Sequence, residues 1–294
     1  MGPPRPPGAA MSRTRARTDH RRPRDWLAAL FVLASCVSHH AVPSPRAAYI
    51  RDVSAVVSSA EARARLGHVV ARQHVTEVIP YKMAAMLDSP AKRAALATWI
   101  DELHRRDIRV IAPIAGRDRI DALDVLTSEH PATWFDGMVT ELEFWNRTDR
   151  RAALDEMLDL LAAIRARAEQ AGRAGHPARV GAYLGYPTID EARRLAPVVD
   201  FVYLDYSVTR PELAWSHVRR DSGPLRSRFG WFSRAGVAVW PIFYATGEVD
   251  MAATLRASGI EAAETRFRND LAADPELGDQ HVTGFVYFTL EAMP

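Results

Sequence analysis

From residue 47 to residue 290 the chain alternates short apolar runs with longer segments of helical periodicity, and it completes that cycle eight times. The runs are 47–53, 75–81, 109–114, 135–144, 178–184, 199–206, 237–244 and 282–290. They read as nearly continuous Val, Ile, Leu, Phe and Tyr rather than as apolar-polar alternation, which is the pattern of strands covered by helices on both faces. Between them, Ser89-Pro90 supplies a cap and first-turn proline for a helix to about residue 106, and Leu154, Met157, Leu161 and Ile164 mark one face of a helix over 151–171. Further helices fall at 58–67, up to Leu126, at 188–195 and at 251–273, the last broken near Gly259. Eight strand-helix units in roughly 250 residues predict a single-domain α/β fold, a (β/α)8 TIM barrel over 47–294. An open doubly wound sheet would place a glycine-rich phosphate turn after an early strand, and Arg51-Asp52, Pro80-Tyr81 and Ala115-Gly116 stand there instead.

The residues before the barrel have a different chemistry. Residues 1–35 hold seven arginines against two aspartates, so the rest of the chain carries −3 of the total +2. The basic excess belongs to this leader, and nothing in the body suggests a nucleic-acid surface. A basic stretch ending in Arg21, Arg22 and Arg24 precedes an apolar run, Trp26 to Ala34, that is too short to span a bilayer as a helix. This predicts a secretory signal peptide over 1–35, followed by a linker over 36–46. Leu33-Ala34-Ser35-Cys36 resembles the lipobox of bacterial lipoproteins, which implies lipidation of Cys36, the only cysteine of the chain. The expectation is an exported, lipid-anchored monomer of the bacterial cell envelope, touching membrane only through that lipid. The other reading is a plain signal peptide in which Cys36 is incidental.

In a barrel of this class, functional groups sit at the C-terminal strand ends. Those ends carry Asp52, Tyr81, Glu141 with Glu143 and Trp145, Tyr183 with Tyr186, Asp205 with Tyr206, Tyr244, and Tyr287 with Glu291. Sugar rings stack on aromatic faces and offer hydroxyls to carboxylates, so the mixture suits a glycan ligand. Within Phe135–Trp145, strand alternation puts Val139, Glu141, Glu143 and Trp145 on one face. Two acids on one face are costly to bury without a use, which marks Glu141 and Glu143 as candidate catalytic groups. The structural alternative pairs them with Arg51 and Lys82 at the barrel mouth. The sequence has no HExxH and no Gly-x-Ser-x-Gly, and no metal or cofactor is expected. The stretch Arg219 to Arg228 reads as an exposed, solvated loop.

The segment from Phe135-Asp136-Gly137 to Glu143 resembles the fourth-strand signature of family-18 glycoside hydrolases, the chitinase-like barrels. The resemblance implies that Glu143 is the general acid of a substrate-assisted hydrolysis, in which the sugar's own N-acetyl oxygen attacks the anomeric carbon. Glu141 would orient the acetamido group, with Tyr206 or Tyr203 bonding its oxygen and Asp205 holding that tyrosine or the sugar nitrogen. Tyr81, Trp145, Tyr183, Tyr186, Tyr203, Tyr244, Tyr287, Phe288 and Glu291 would bind the glycan. In this chain Glu141 replaces the usual aspartate, Val139 stands where another acid is common, and Phe288 takes the place of a tryptophan. The expected activity is hydrolysis of a β-linked, N-acetylated polysaccharide, and the alternative is a glycan-binding surface lipoprotein without catalysis.

Overall fold

The computed structural model describes residues 44–206, 218–219, 223–246, 250–272 and 282–293. The predicted signal peptide, Cys36 and most of the linker lie outside the described residues. Eight parallel strands form a closed barrel, each paired to its chain neighbour and the last to the first. They are β1 (Arg46–Ile50), β2 (Val75–Pro80), β3 (Arg109–Ile114), β4 (Gly137–Thr140), β5 (Arg179–Leu184), β6 (Phe201–Asp205), β7 (Ala238–Tyr244) and β8 (Phe285–Phe288). Closure is made by Arg46 opposite Phe285 through Tyr49 opposite Phe288. The (β/α)8 fold expected from the sequence is the fold observed.

The helices between the strands are α1 (Val53–Ser58), α2 (Ala60–Arg72), α3 (Ala84–Leu87), α4 (Pro90–His104), α5 (Arg117–Glu129), α6 (Arg150–Arg173), α7 (Ile189–Leu195), α8 (Leu225–Arg234), α9 (Asp250–Ser258) and α10 (Ile260–Ala272). Their ends follow local chemistry. The Ser89 hydroxyl accepts from the Lys92 amide at the start of α4, with Pro90 in the first turn. Thr188 and Glu191 form a reciprocal capping box on α7. Gly259, at φ +81°, separates α9 from α10 in a conformation that suits glycine.

Strand parity divides the core in two. Ala47, Tyr49, Ile79, Ile111, Val139, Tyr203, Trp240, Ile242 and Val286 fill the barrel interior, while their neighbours in sequence pack outward against the helices. Gly181 is required here, because a Cβ on it would overlap the Phe201 ring that fills the interior beside it. The N-terminal end of the barrel is plugged by Glu77, which is fully buried and held by Arg109 at 2.6 Å and Arg179 at 2.8 Å.

Two expectations need correction. The fourth strand is four residues long rather than running to Phe144, and the acids follow it in a turn. The arginine-rich stretch before β7 is not all exposed loop. Its end forms α8, where Arg228 is buried and its guanidinium lies 4.8 Å from the centre of the Tyr186 ring. Phe229 and Phe232, also buried, anchor this helix on the barrel, and the arginines around them obscure that apolar stripe in the sequence.

Candidate functional site

The turn after β4 presents the two acids. The Glu141 amide still donates to the Ile114 carbonyl at 3.1 Å, extending the β3–β4 ladder by one residue. The Thr140 hydroxyl then accepts from the Leu142 amide at 3.3 Å, which ends the strand by giving the backbone a local partner. Phe144 is fully buried in the outer core and starts a short 3-10 turn, Phe144–Asn146. Glu143 precedes that turn and is exposed, its carboxylate accepting from the side-chain Nδ2 of Asn146 at 2.7 Å. Glu141 keeps the inward parity of Val139. Both acids line one cleft at the C-terminal end of the barrel.

The cleft has a volume of about 310 Å³. Besides the acids its wall is made by Tyr49, Tyr81, Tyr183, Tyr244 and Phe288, with Ala115 and Ile242 as small apolar patches. Tyr49, Tyr81 and Phe288 meet edge-on or tilted, with centroids 5.4 to 6.2 Å apart, and Tyr244 meets Phe288 at 5.4 Å. Trp145 packs edge-on against Tyr183 at 5.4 Å, and Gly185 beneath it leaves no room for a Cβ without displacing the indole.

Burial pushes the Glu141 carboxyl up to about 7; the Tyr49 hydroxyl hydrogen-bonded to it opposes that rise, and the charge of Glu143 adds to it. Glu141 thus holds its proton into the neutral range. On the other side, the hydroxyls of Tyr183 and Tyr244 are hydrogen-bonded to each other. Burial and the neighbouring Asp205 carboxylate push both phenols above their ordinary range, so they stay protonated. Among the described residues no arginine or lysine lines the cleft, and neither Glu141 nor Glu143 pairs with one. Arg51 and Lys82, the suggested partners, are both exposed, and the Arg51 amide instead donates to Glu291 at 2.9 Å.

The structure brings together Glu141, Glu143, Tyr81, Tyr183, Tyr244 and Phe288 in the cleft wall, with Trp145 behind Tyr183 and Asp205 beside both phenols. It places five other candidates elsewhere. Tyr206 points outward into the helix layer, where it packs on Phe229, Phe243 and Phe267. Tyr287 also points outward, donating to Glu264 at 2.6 Å. Tyr203 is inward but fully buried, between Phe201 and Trp240 and close to the Glu77 plug. Tyr186 lies under the Arg228 guanidinium, and Glu291 is exposed beyond β8. The burial that the sequence reading required of Glu143 is found at Glu141 instead. The residues missed were Tyr49, Ala115 and Ile242, and for Tyr49 the signal was present: Ala47 and Tyr49 share parity on a strand whose other face is Arg46, Ala48 and Ile50.

Among the described residues no three His, Cys, Asp or Glu side chains are grouped to hold a metal ion. No family model matches the sequence, and no curated protein does. Similar solved structures include a curdlan-specific exo-β-1,3-glucanase of glycoside hydrolase family 128 from Blastomyces gilchristii, at 8% identity, covering 84% of this chain and 90% of that one with a TM-score of 0.48. Concanavalin B is similar at 10% identity over 85% of this chain and 94% of that one, TM-score 0.46. The homocysteine methyltransferase of Escherichia coli is similar at 9% identity over 85% and 93%, TM-score 0.45.

Proposed function

We propose that the cleft is the active site of a glycoside hydrolase acting on a β-linked, N-acetylated polysaccharide. One observation carries the reading: a glutamate that keeps its proton near neutrality stands two residues from an exposed glutamate, in an aromatic-walled cleft at the C-terminal end of the barrel. A proton held in the cleft near pH 7 is what protonation of a glycosidic oxygen needs. Glu143, the more accessible of the two, delivers that proton. Glu141, held by Tyr49, faces the acetamido group, whose oxygen attacks the anomeric carbon and replaces a protein nucleophile. The phenols of Tyr183 and Tyr244 bond sugar hydroxyls, and Tyr81 and Phe288 stack on the ring.

Glu143→Gln tests the assignment. The glutamine keeps the size and loses the proton, so turnover should fall by roughly 10²- to 10⁴-fold while glycan affinity stays within a few-fold. Unchanged turnover in that variant removes Glu143 from the reaction. A non-catalytic glycan-binding protein is the second reading, favoured by Val139, a fully buried apolar residue where the chitinase-like motif commonly has another acid. Wild-type protein that binds β-linked glycans and cleaves none of them would establish it.

A further inference from the structure

At the opposite end of the barrel from the cleft, α5, α6 and the start of β4 enclose a second cavity of about 250 Å³. Its floor is Leu123, Phe135 and Met138, all buried, and its rim is exposed at Pro131, Gln170 and Ala174. Trp134 forms one wall, and three groups fix that indole in place. The His104 ring stacks on it with centroids 4.2 Å apart and 14° between the planes, and the His176 ring does so at 4.5 Å and 12°. Two rings so close and so nearly parallel to the indole cannot share one face of it, so they cover both. The indole N–H donates to Asp136, whose carboxylate also accepts from the Val110 amide at 2.8 Å and meets His104 Nε2 at 3.0 Å. What remains to face the cavity is the C–H edge of the indole, the positive rim of its quadrupole, which attracts the face of another ring.

Arg167, largely buried in the same wall, brings a charge. Its Nε pairs with Asp124 and its Nη2 donates to the Thr127 hydroxyl at 2.8 Å, which fixes the plane of the guanidinium. Among the described residues nothing else pairs with it, so Nη1 is left for a further acceptor. Asp124 is half-exposed and solvated and does not exclude one. We infer that this cavity is a binding site for a small aryl carboxylate, a single aromatic ring carrying a short acidic side chain. The ring lies on the floor, with its face to the Trp134 edge and the Met138 thioether beside it, and the carboxylate bonds to Arg167. The size agrees, since an apolar cavity of about 150 Å³ holds benzene and this one has room for a ring and a short substituent. The site is separate from the glycan cleft, whose acids follow the far end of the same strand.

Titration of the full chain with phenylacetate, phenylethanol and acetate, followed by calorimetry and by NMR of the tryptophan indole N–H signals, tests the site. Phenylacetate should bind about ten-fold tighter than phenylethanol, which has the ring without the charge, and than acetate, which has the charge without the ring. It should shift the Trp134 signal, assigned by its loss in Trp134→Phe, and leave that of Trp145 beside the cleft in place. Arg167→Gln should bring phenylacetate and phenylethanol to equal affinity. Ala171→Leu, which puts a larger side chain into the cavity from a helix that accepts leucine, should weaken both about ten-fold or more, with circular dichroism confirming the fold of each variant. Glu143→Gln, altered at the other end of the barrel, should bind as wild type does. Failure of phenylacetate to bind the full chain overturns the inference, as does binding that Ala171→Leu leaves intact or that shifts Trp145 and not Trp134. The Trp134 signal of wild-type protein decides the matter even where a variant does not fold. Equal affinity of the wild type for phenylethanol overturns the assignment of an acidic ligand. Binding by a chain that starts at Val42 and not by the full chain overturns the inference too, and gives the cavity to the leader.

Discussion

Glu141 makes stability and function pull in opposite directions. Its carboxyl, ordinarily near 4.5, is pushed up to about 7 in the folded chain by burial. Between those values the unfolded chain has lost a proton that the folded chain keeps, so stability falls as pH rises from 4.5 to 7, and the loss is complete above 7. The full cost is at most about 3 kcal/mol. Glu141→Gln cannot ionise, so urea unfolding at pH 8 should find it more stable than wild type by about 1 to 3 kcal/mol, with the two nearly equal at pH 4. A variant of equal or lower stability at pH 8 would mean that the carboxylate is better solvated or paired than this geometry allows. Tyr49 supplies a second check: its hydroxyl holds the Glu141 value down, so Tyr49→Phe should move the titration of Glu141 up by about half a pH unit to one, read by carboxyl carbon NMR. The acids themselves were legible because strand parity is a local rule. Tyr206 and Tyr287 were misplaced for want of that same rule: each sits one residue from an inward neighbour, Asp205 and Phe288, and therefore faces the helices.

Among the elements, the link between α6 and α7 sets the frame of the site. Glu191 accepts from the Thr188 amide at 2.7 Å within the capping box, and also takes Arg150 bidentately at 2.6 and 2.7 Å. Arg150 begins α6, directly after the turn that holds Glu143, and it also donates to the Tyr186 carbonyl at 2.5 Å. One carboxylate therefore ties the turn after β4 to the loop after β5. Burial opposes its charge, but the Arg150 and Thr188 hydrogen bonds win and hold Glu191 below the usual glutamate range. Its contribution is present above pH 4.5 and is lost as pH falls through that lowered value. Glu191→Ala should cost about 2 to 3 kcal/mol at pH 7, with the difference from wild type narrowing in acid, and should also weaken glycan binding. A full loss of stability with unchanged affinity would show that the tie does not reach the cleft. Elements whose pattern was local, such as α4 with Ser89 and Pro90 or α6 with its apolar stripe, could be read from sequence with nearly correct ends. The end of β4 could not, because what stops it is the Thr140 hydroxyl bonding two residues ahead, while the alternation of residue types continues past it.

At the scale of the molecule, the barrel was legible because eight similar units repeat one constraint, and closure follows once the helices cover every strand. The cleft wall was less so, since Tyr49 and Ile242 come from two strands and Ala115 from the bend after a third, and they meet only after closure. All eight strands and their pairings lie within 46–288. The compact unit that contains them begins at Val42. A chain starting there should unfold in urea at the same midpoint as the full chain and keep the same glycan affinity, because it retains every described strand pair and every described residue of the cleft. Location should behave independently of that fold. If Cys36 is lipidated, the full chain expressed in bacteria will label with palmitate and sediment with membranes, while Cys36→Ser will do neither and will still present a folded barrel. A single acyl chain binds membranes weakly, so complete sedimentation would require more than one chain on Cys36, and a Cys36→Ser protein that still sediments would show that the attachment does not depend on that residue.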